Sequence, residues 1–407
     1  MSAPDQPRNA WPEDPAGAIR EAEARLAAAA EGTPAWAQAH NDLGVALNAL
    51  RQGERAENLR RAISHHETAL AVLTREADPV AWAHTVALLG HSWNNLVAGD
   101  RPANLERAIA SYHQALAVIT ESGDPETWAV IHYCLGNAHT GFPETDPRRN
   151  PRHAVECFEA ALRVWTEEGN PIRWASVEYA LANTLCDLDD GNRVENLRRA
   201  ATLYEEVTRV WTEKARPLQW AMLQNNLGGI HVDLPAQGTA RDENLRRAIA
   251  YYEAARRVWN EFTRPGEWAM LQNNLASTYM NLPGGNRTEN LRRAIGLFRE
   301  ALRVRTREAQ PLQWAITQYN LGLAHFSLPT GPPLENLNRA IDAFEAALPV
   351  LESEEHPGYR EANRASLEKA LRELGYLEQP YMLTTPGKRA LWLLRRRLRK
   401  PPSGSPA

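Results

Sequence analysis

Apolar and polar residues follow a helical beat along this chain, and the beat itself recurs. Trp36, Trp82, Trp128, Trp174, Trp220, Trp268 and Trp314 are each followed by Ala, at intervals of 46, 46, 46, 46, 48 and 46 residues. Counted from the Trp as zero, apolar residues favour positions 0, 3, 7, 11 and 14, the stripe of an amphipathic helix. Position 7 is Leu in all seven units, from Leu43 to Leu321. A Pro stands two or three residues before each Trp, which suits the first turn of a helix, where a missing N–H leaves nothing unpaired. A second column, Asn58, Asn104, Asn150, Asn196, Asn244, Asn290 and Asn336, keeps the same intervals. It opens a second helical pattern and reads as an N-cap, a side chain accepting from orphan amides. Gly53, Gly99, Gly191, Gly238, Gly285 and Gly331 punctuate the loop between the two helices.

The second helix carries Ala-x-x-x-aromatic-x-x-Ala, as in Ala108, Tyr112, Ala115 and in Ala154, Phe158, Ala161. Small residues let helices approach and the ring fills the space between them. Leu-Gly on the first helix with this phrase on the second resembles the tetratricopeptide (TPR) signature. The usual period is about 34 residues, so each unit here is an enlarged version. With its W-A-x-x-Q-N-N-L-G and E-N-L-x-x-A-I phrases, the array is similar to the long-helix TPR arrays of bacterial multidomain proteins. Those arrays often accompany a CHAT-type protease or a nucleotide-binding switch domain. Outside the repeats this chain has too little length for such a domain, so no catalytic residue is carried over. The resemblance implies an all-α, right-handed superhelix of seven long helix-turn-helix repeats that binds protein partners.

The ends suit a solenoid, whose terminal units need capping. Residues 1–14 are polar and Pro-rich and are expected to be disordered. The repeats with an N-terminal capping helix occupy 15–355, a charged capping helix 356–376, and a linker with a basic tail 377–407. In that tail, KRALWLLRRRLRK places Leu391, Leu394 and Leu398 on one helical face among Arg389, Trp392, Arg395, Arg396 and Arg397. Such a segment can dock on an anionic membrane surface or an acidic protein face.

On a wheel of 100° per residue, positions 2, 5 and 9 of the first helix point away from the stripe and position 6 lies on its flank. In a TPR-like stack these positions line the concave groove. They supply Asn41, Tyr133, Asn137, Tyr179, Asn183, Asn225, Asn226, Asn273, Asn274, Tyr319 and Asn320, with Met222 and Met270 beside them. Amides can match the donors and acceptors of an extended backbone, and Met adapts to irregular apolar shapes. The pattern resembles the asparagine ladder in the TPR superhelix of O-GlcNAc transferase. Hydrogen bonding between adjacent repeats is the competing expectation for the same residues. Arg173 is the one basic residue on the first helices of the seven units, which disfavours ligands held by a terminal carboxylate or a phosphate.

Composition then trims the alternatives. The chain has 407 residues, 43% hydrophobic and 24% charged, with a net charge of −4 that points to neither nucleic acid nor membrane. Three cysteines without paired spacing imply a reducing compartment, no apolar leader is evident, and the cytoplasm is the expected location. The arginines of the LRRA phrases read as a solvated surface with local ion pairs. DLDDGNRVE (187–195) fails the EF-hand spacing. No phosphate loop, nucleophile elbow, H-E-x-x-H phrase or Cys/His cluster is legible, so no catalytic residue, cofactor or metal is expected. A non-catalytic adaptor is the expected function. A regulatory subunit placed at the membrane by its tail is second, and an enzyme assembled on the array third.

Overall fold

The computed structural model describes residues 12–382 except 52, 190 and 353–356, with side chains described up to 375. Sixteen α-helices and no strand occur among these residues. The chain divides into two compact units, one ending at Ala215 and one beginning at Arg216. The first unit holds first-type helices α2 (Pro34–Ala49), α4 (Pro79–Asn95), α6 (Pro125–Thr140) and α8 (Pro171–Asp187). Its second-type helices are α1 (Pro15–Ala28), α3 (Arg55–Leu70), α5 (Arg101–Leu116), α7 (Pro151–Leu162) and α9 (Arg193–Val207). The second unit alternates α10 (Pro217–Asp233), α12 (Pro265–Asn281), α14 (Pro311–Phe326) and α16 (Pro357–Met382) with α11 (Gly238–Arg256), α13 (Arg287–Val304) and α15 (Pro333–Leu351). Within each unit every helix packs on the next, and each first helix also touches the first helix that follows. This sequential stacking is an α-solenoid.

The start of each first helix follows the sequence closely. Pro34, Pro79, Pro125, Pro171, Pro217, Pro265 and Pro311 all occupy its first position. Thr33, Asp78, Asp124 and Asn170 accept N-capping hydrogen bonds from the residue three further on. After the first helix, Gly99 takes a φ of +84°, a conformation that only Gly adopts cheaply. The equivalent glycines all share that sign.

The Asn column departs from its expected role. The second helix begins three residues earlier, at Arg55, Arg101, Arg193 and Arg287, so Asn58, Asn104, Asn196 and Asn290 lie inside it and are buried. Instead of accepting as a cap, Asn104 donates Nδ2–H to the carbonyls of Leu96 (2.9 Å) and Ala98 (3.2 Å). Asn290 does the same to Leu282 and Gly284, and Asn336 to Leu328 and Thr330. The amide thus pins the interhelical loop to the helix that follows. Only Asn150, fixed by Pro151 behind it, is an N-cap, accepting from His153 N–H at 3.1 Å. The arginine three residues before the column completes the loop. Arg55 donates to Asn48 O (2.7 Å) and Arg101 to Asn94 O (2.6 Å), placing a cation on the carbonyl end of the first helix.

Helix pairs close on a glycine. A Cβ on Gly136 would stand 2.6 Å from the ring of Phe158, and one on Gly228 or Gly322 would stand 2.5 Å from Tyr252 or Phe344. The Leu-Gly pair is therefore where the second-helix ring lies flat against the first helix, and Phe158, Phe298 and Phe344 are wholly buried.

At the far end, α16 stands where an eighth first helix would begin and packs on α15. It runs on to Met382, through the stretch after Tyr376 expected to be an extended linker. Leu377, Glu378 and Gln379 are good helix formers and carry the last turns. The tail residues Arg389, Trp392, Arg395, Arg396 and Arg397, like residues 1–11, lie outside the described part.

Candidate functional site

The exposed face of the first helices is shifted relative to expectation. Ala at position 1 and Gly or Ala at position 8 are buried throughout, as in Ala129 with Gly136 and Ala269 with Ala276. A stripe drawn from large apolar residues omits these small ones, yet they are where the second helix approaches most closely. The buried arc therefore reaches toward position 5, where Asn41, Tyr133, Tyr179 and Tyr319 lean on the second-helix ring of their own repeat.

Two expected groove residues are lost to the interior on this account. Asn41 is 8% exposed, and its Oδ1 accepts from His66 Nδ1 at 2.9 Å. His66 fills the aromatic slot of the first repeat, and its Nε2 accepts from Asn48 Nδ2 (3.3 Å), which also donates to Ser92 Oγ (2.9 Å) in the next repeat. Tyr133 is 9% exposed, packs on Phe158 and Trp165, and is hydrogen-bonded to Asn137. Burial pushes its phenol up to about 12. Tyr179 stays half-buried against Tyr204 and Trp211, and Asn183 Oδ1 accepts from Tyr204 Oη at 2.6 Å. In the first unit, these side chains are tied to ring packing.

In the second unit the amides face outward and join across repeats. Asn274 Nδ2 on α12 donates to Asn225 Oδ1 on α10 at 3.2 Å, and Asn225 Nδ2 donates to Asn226 Oδ1 at 3.3 Å. All three side chains are half-buried, as are Met222, Met270, Tyr319 and Asn320. Asn273 Oδ1 accepts from Thr317 Oγ1 (3.3 Å), which in turn receives Arg305 Nη1 (3.1 Å). Arg305 is 8% exposed, and burial lowers its pKa. It takes the place that Trp165, Trp211 and Trp259 hold at the end of earlier second helices, each buried. That tryptophan column keeps the repeat interval in the sequence as well.

The basic residues go elsewhere. Arg173 is buried, stacks on Trp165 at 5.0 Å and pairs with Glu126, so it adds no free cation to the first-helix face. The LRRA arginines form ion pairs of the expected kind, Arg246 with Asp242 (2.7 Å) and Arg247 with Glu243 (2.6 Å). Arg163 and Arg209 lie over Trp128 and Trp174 while pairing with Glu121 and Glu167 of the preceding repeat.

Three histidines also converge in the first unit, contrary to the expectation that no Cys/His cluster forms. Ring nitrogens of His113 (α5), His139 (α6) and His153 (α7) lie within 4.8 Å of one another. They are far apart in sequence, so no spacing motif announces them. The available signal was subtler: His153 stands where the repeat carries Arg, and His113 where it mostly carries Glu.

No family model matches the chain, and no curated protein matches it. Three solved structures show its kind of similarity. The C-terminal part of a TPR repeat-containing protein from Cytophaga hutchinsonii is 14% identical over 81% of this chain and 94% of that one, with a TM-score of 0.41. Acl4, the assembly chaperone of RpL4 (residues 1–338), is 14% identical over 80% and 94%, with a TM-score of 0.30. A circular tandem repeat protein is 17% identical over 91% and 90%, with a TM-score of 0.24. The chain's own geometry, a ring of the second helix laid on a glycine of the first in unit after unit, makes it a TPR-like α-solenoid.

Proposed function

We propose that the chain is a non-catalytic protein-interaction scaffold whose second unit receives an extended partner segment along its first helices. The observation that carries this reading is that the amide ladder Asn226–Asn225–Asn274 stays half-buried on the outward side of its helices, although its bond across repeats is also the one packing alone would make. Its own hydrogen bonds fix the rotamers, so a partner's backbone meets preorganised donors and acceptors at little entropic cost. Met222 and Met270 border the ladder and offer adaptable apolar contact. The surface is defined by Asn225, Asn226, Asn273, Asn274, Tyr319 and Asn320. Asn41 and Tyr133 are too buried to take part.

Panning a random peptide library on the full chain tests the reading. Enriched peptides should bind the wild type and lose about tenfold or more in affinity to the N225A/N226A/N273A/N274A variant, checked by its melting curve to be folded. Binding that survives all four substitutions would place recognition off the ladder, and a library yielding no binder would remove the support for a peptide-reading surface.

A further inference from the structure

We infer that His113, His139 and His153 form a binding site for a divalent late transition metal, with zinc the natural probe. The site joins the second helices of two consecutive repeats, α5 and α7, through the first helix α6 between them.

The repeat itself shows that the arrangement is a departure. In the following pair of repeats the positions equivalent to His153 and His113 are Arg199 and Glu159, an ion pair at 2.6 Å. At the positions equivalent to His153 and His139, other repeats place Arg107 over Trp93 (4.6 Å) and Arg293 over Tyr279 (5.6 Å). Here the acid and the base are both histidine, beside a position that carries His in two other repeats as well, His231 and His325. Two imidazoles cannot replace an ion pair, but three can ligate a metal, since neutral imidazole suits zinc, copper and nickel.

The individual side chains are set up for it. His153 Nδ1 lies 2.8 Å from Glu156 Oε2, so Nδ1–H donates to the carboxylate and Nε2 is left as the ligand atom. A carboxylate behind a ligating histidine is the usual orienting arrangement. Both ring nitrogens of His139 are shielded from solvent and have no hydrogen-bond partner. That is costly for an imidazole with nothing to bind, and a metal would satisfy one of them. His139 meets His153 edge-on at 4.7 Å between centroids, and the ring of His113 lies 6.4 Å from that of His153. His113 is exposed and can swing inward. Tetrahedral zinc at about 2.0–2.1 Å from each nitrogen needs ligand atoms about 3.4 Å apart, a modest contraction. With three protein ligands, the fourth position is left to water.

The test uses the full chain, with any affinity tag removed and metal stripped by EDTA, titrated with zinc chloride by calorimetry and followed by thermal melting. The expected result is one equivalent bound with Kd below about 10 µM and a melting temperature that rises with zinc concentration. H113E/H153R, which restores the residue types of the neighbouring repeat, is expected to weaken zinc binding at least a hundredfold while melting normally without metal. Since His113 is exposed, H113A provides a second variant that leaves the core untouched, and it should lose at least tenfold. E156Q should weaken binding by about tenfold, as for other second-sphere carboxylates. No saturable uptake by the wild type overturns the assignment, as does one-equivalent binding that both H113A and H113E/H153R retain.

Discussion

The ring of Phe158 occupies the space a side chain on Gly136 would need, with a Cβ at that position only 2.6 Å from Cε1. Gly136→Ala therefore gains helix propensity but collides with a wholly buried ring. The collision wins, because overpacking typically costs about 1–3 kcal/mol and the gain is about 1 kcal/mol at most. Chemical denaturation should show Gly136→Ala destabilised. Gly296→Ala, on an exposed mid-helix site with nothing within 4 Å, should be stabilised by about 0.5–1 kcal/mol.

Asn104 discriminates between two roles for its column. A capping residue accepts a hydrogen bond, so Asp would serve as well as Asn. Asn104 instead donates to the carbonyls of Leu96 and Ala98. Asn104→Asp sets a carboxylate against those carbonyls and should destabilise more than Asn104→Ala, which itself should cost about 1–2 kcal/mol. Equal stability of Asp and Asn variants in urea melts would return the column to a capping role.

His66 makes the first unit sensitive to acid. It is wholly buried, and burial lowers its pKa from 6.5 to about 3. Between those values the unfolded chain binds a proton that the folded chain refuses, so stability is full above about pH 6.5 and falls as pH drops toward 3. At pH 4.5 this one group accounts for about 2–3 kcal/mol. His65, His91, His132 and His139, all in the same unit, are lowered in the same direction. Hydrogen exchange followed from pH 7 to 4.5 should show residues 34–207 losing protection as pH falls, and His325, lowered to about 4, adds the same acid sensitivity to 217–352.

Glu178 titrates with the opposite sign. It is 7% exposed, its Oε2 lacks a partner, and burial followed by repulsion from Glu206 raises its pKa to about 7. Above pH 4.5 the unfolded carboxyl ionises and the folded one resists, so the penalty grows as pH rises toward 7. Glu178→Gln should stabilise the protein by about 1–2 kcal/mol at pH 8 and change little at pH 4. A gain of the same size at both pH values would show that packing, and not charge, is responsible.

The sequence by itself determined the repeat, the helix pairs and where first helices begin. Those depend on local rules: a 3.6-residue stripe, Pro in a first turn, Gly where φ is positive. Large apolar and aromatic columns stay legible at a fixed interval, because each unit buries the same face against the next. What only the tertiary structure decided are the roles of polar residues whose partners are remote in the chain. The Asn column looks like a cap until the helix is seen to start at the arginine before it. Asn41 looks exposed on a wheel drawn from large side chains, and is buried because Ala37 and Gly44 let the second helix come close. Asn225 and Asn274 meet across 49 residues, and His113, His139 and His153 across 40. Hydrogen bonding and metal ligation are set by distance and direction in space, and a one-dimensional pattern carries neither until the helices are stacked.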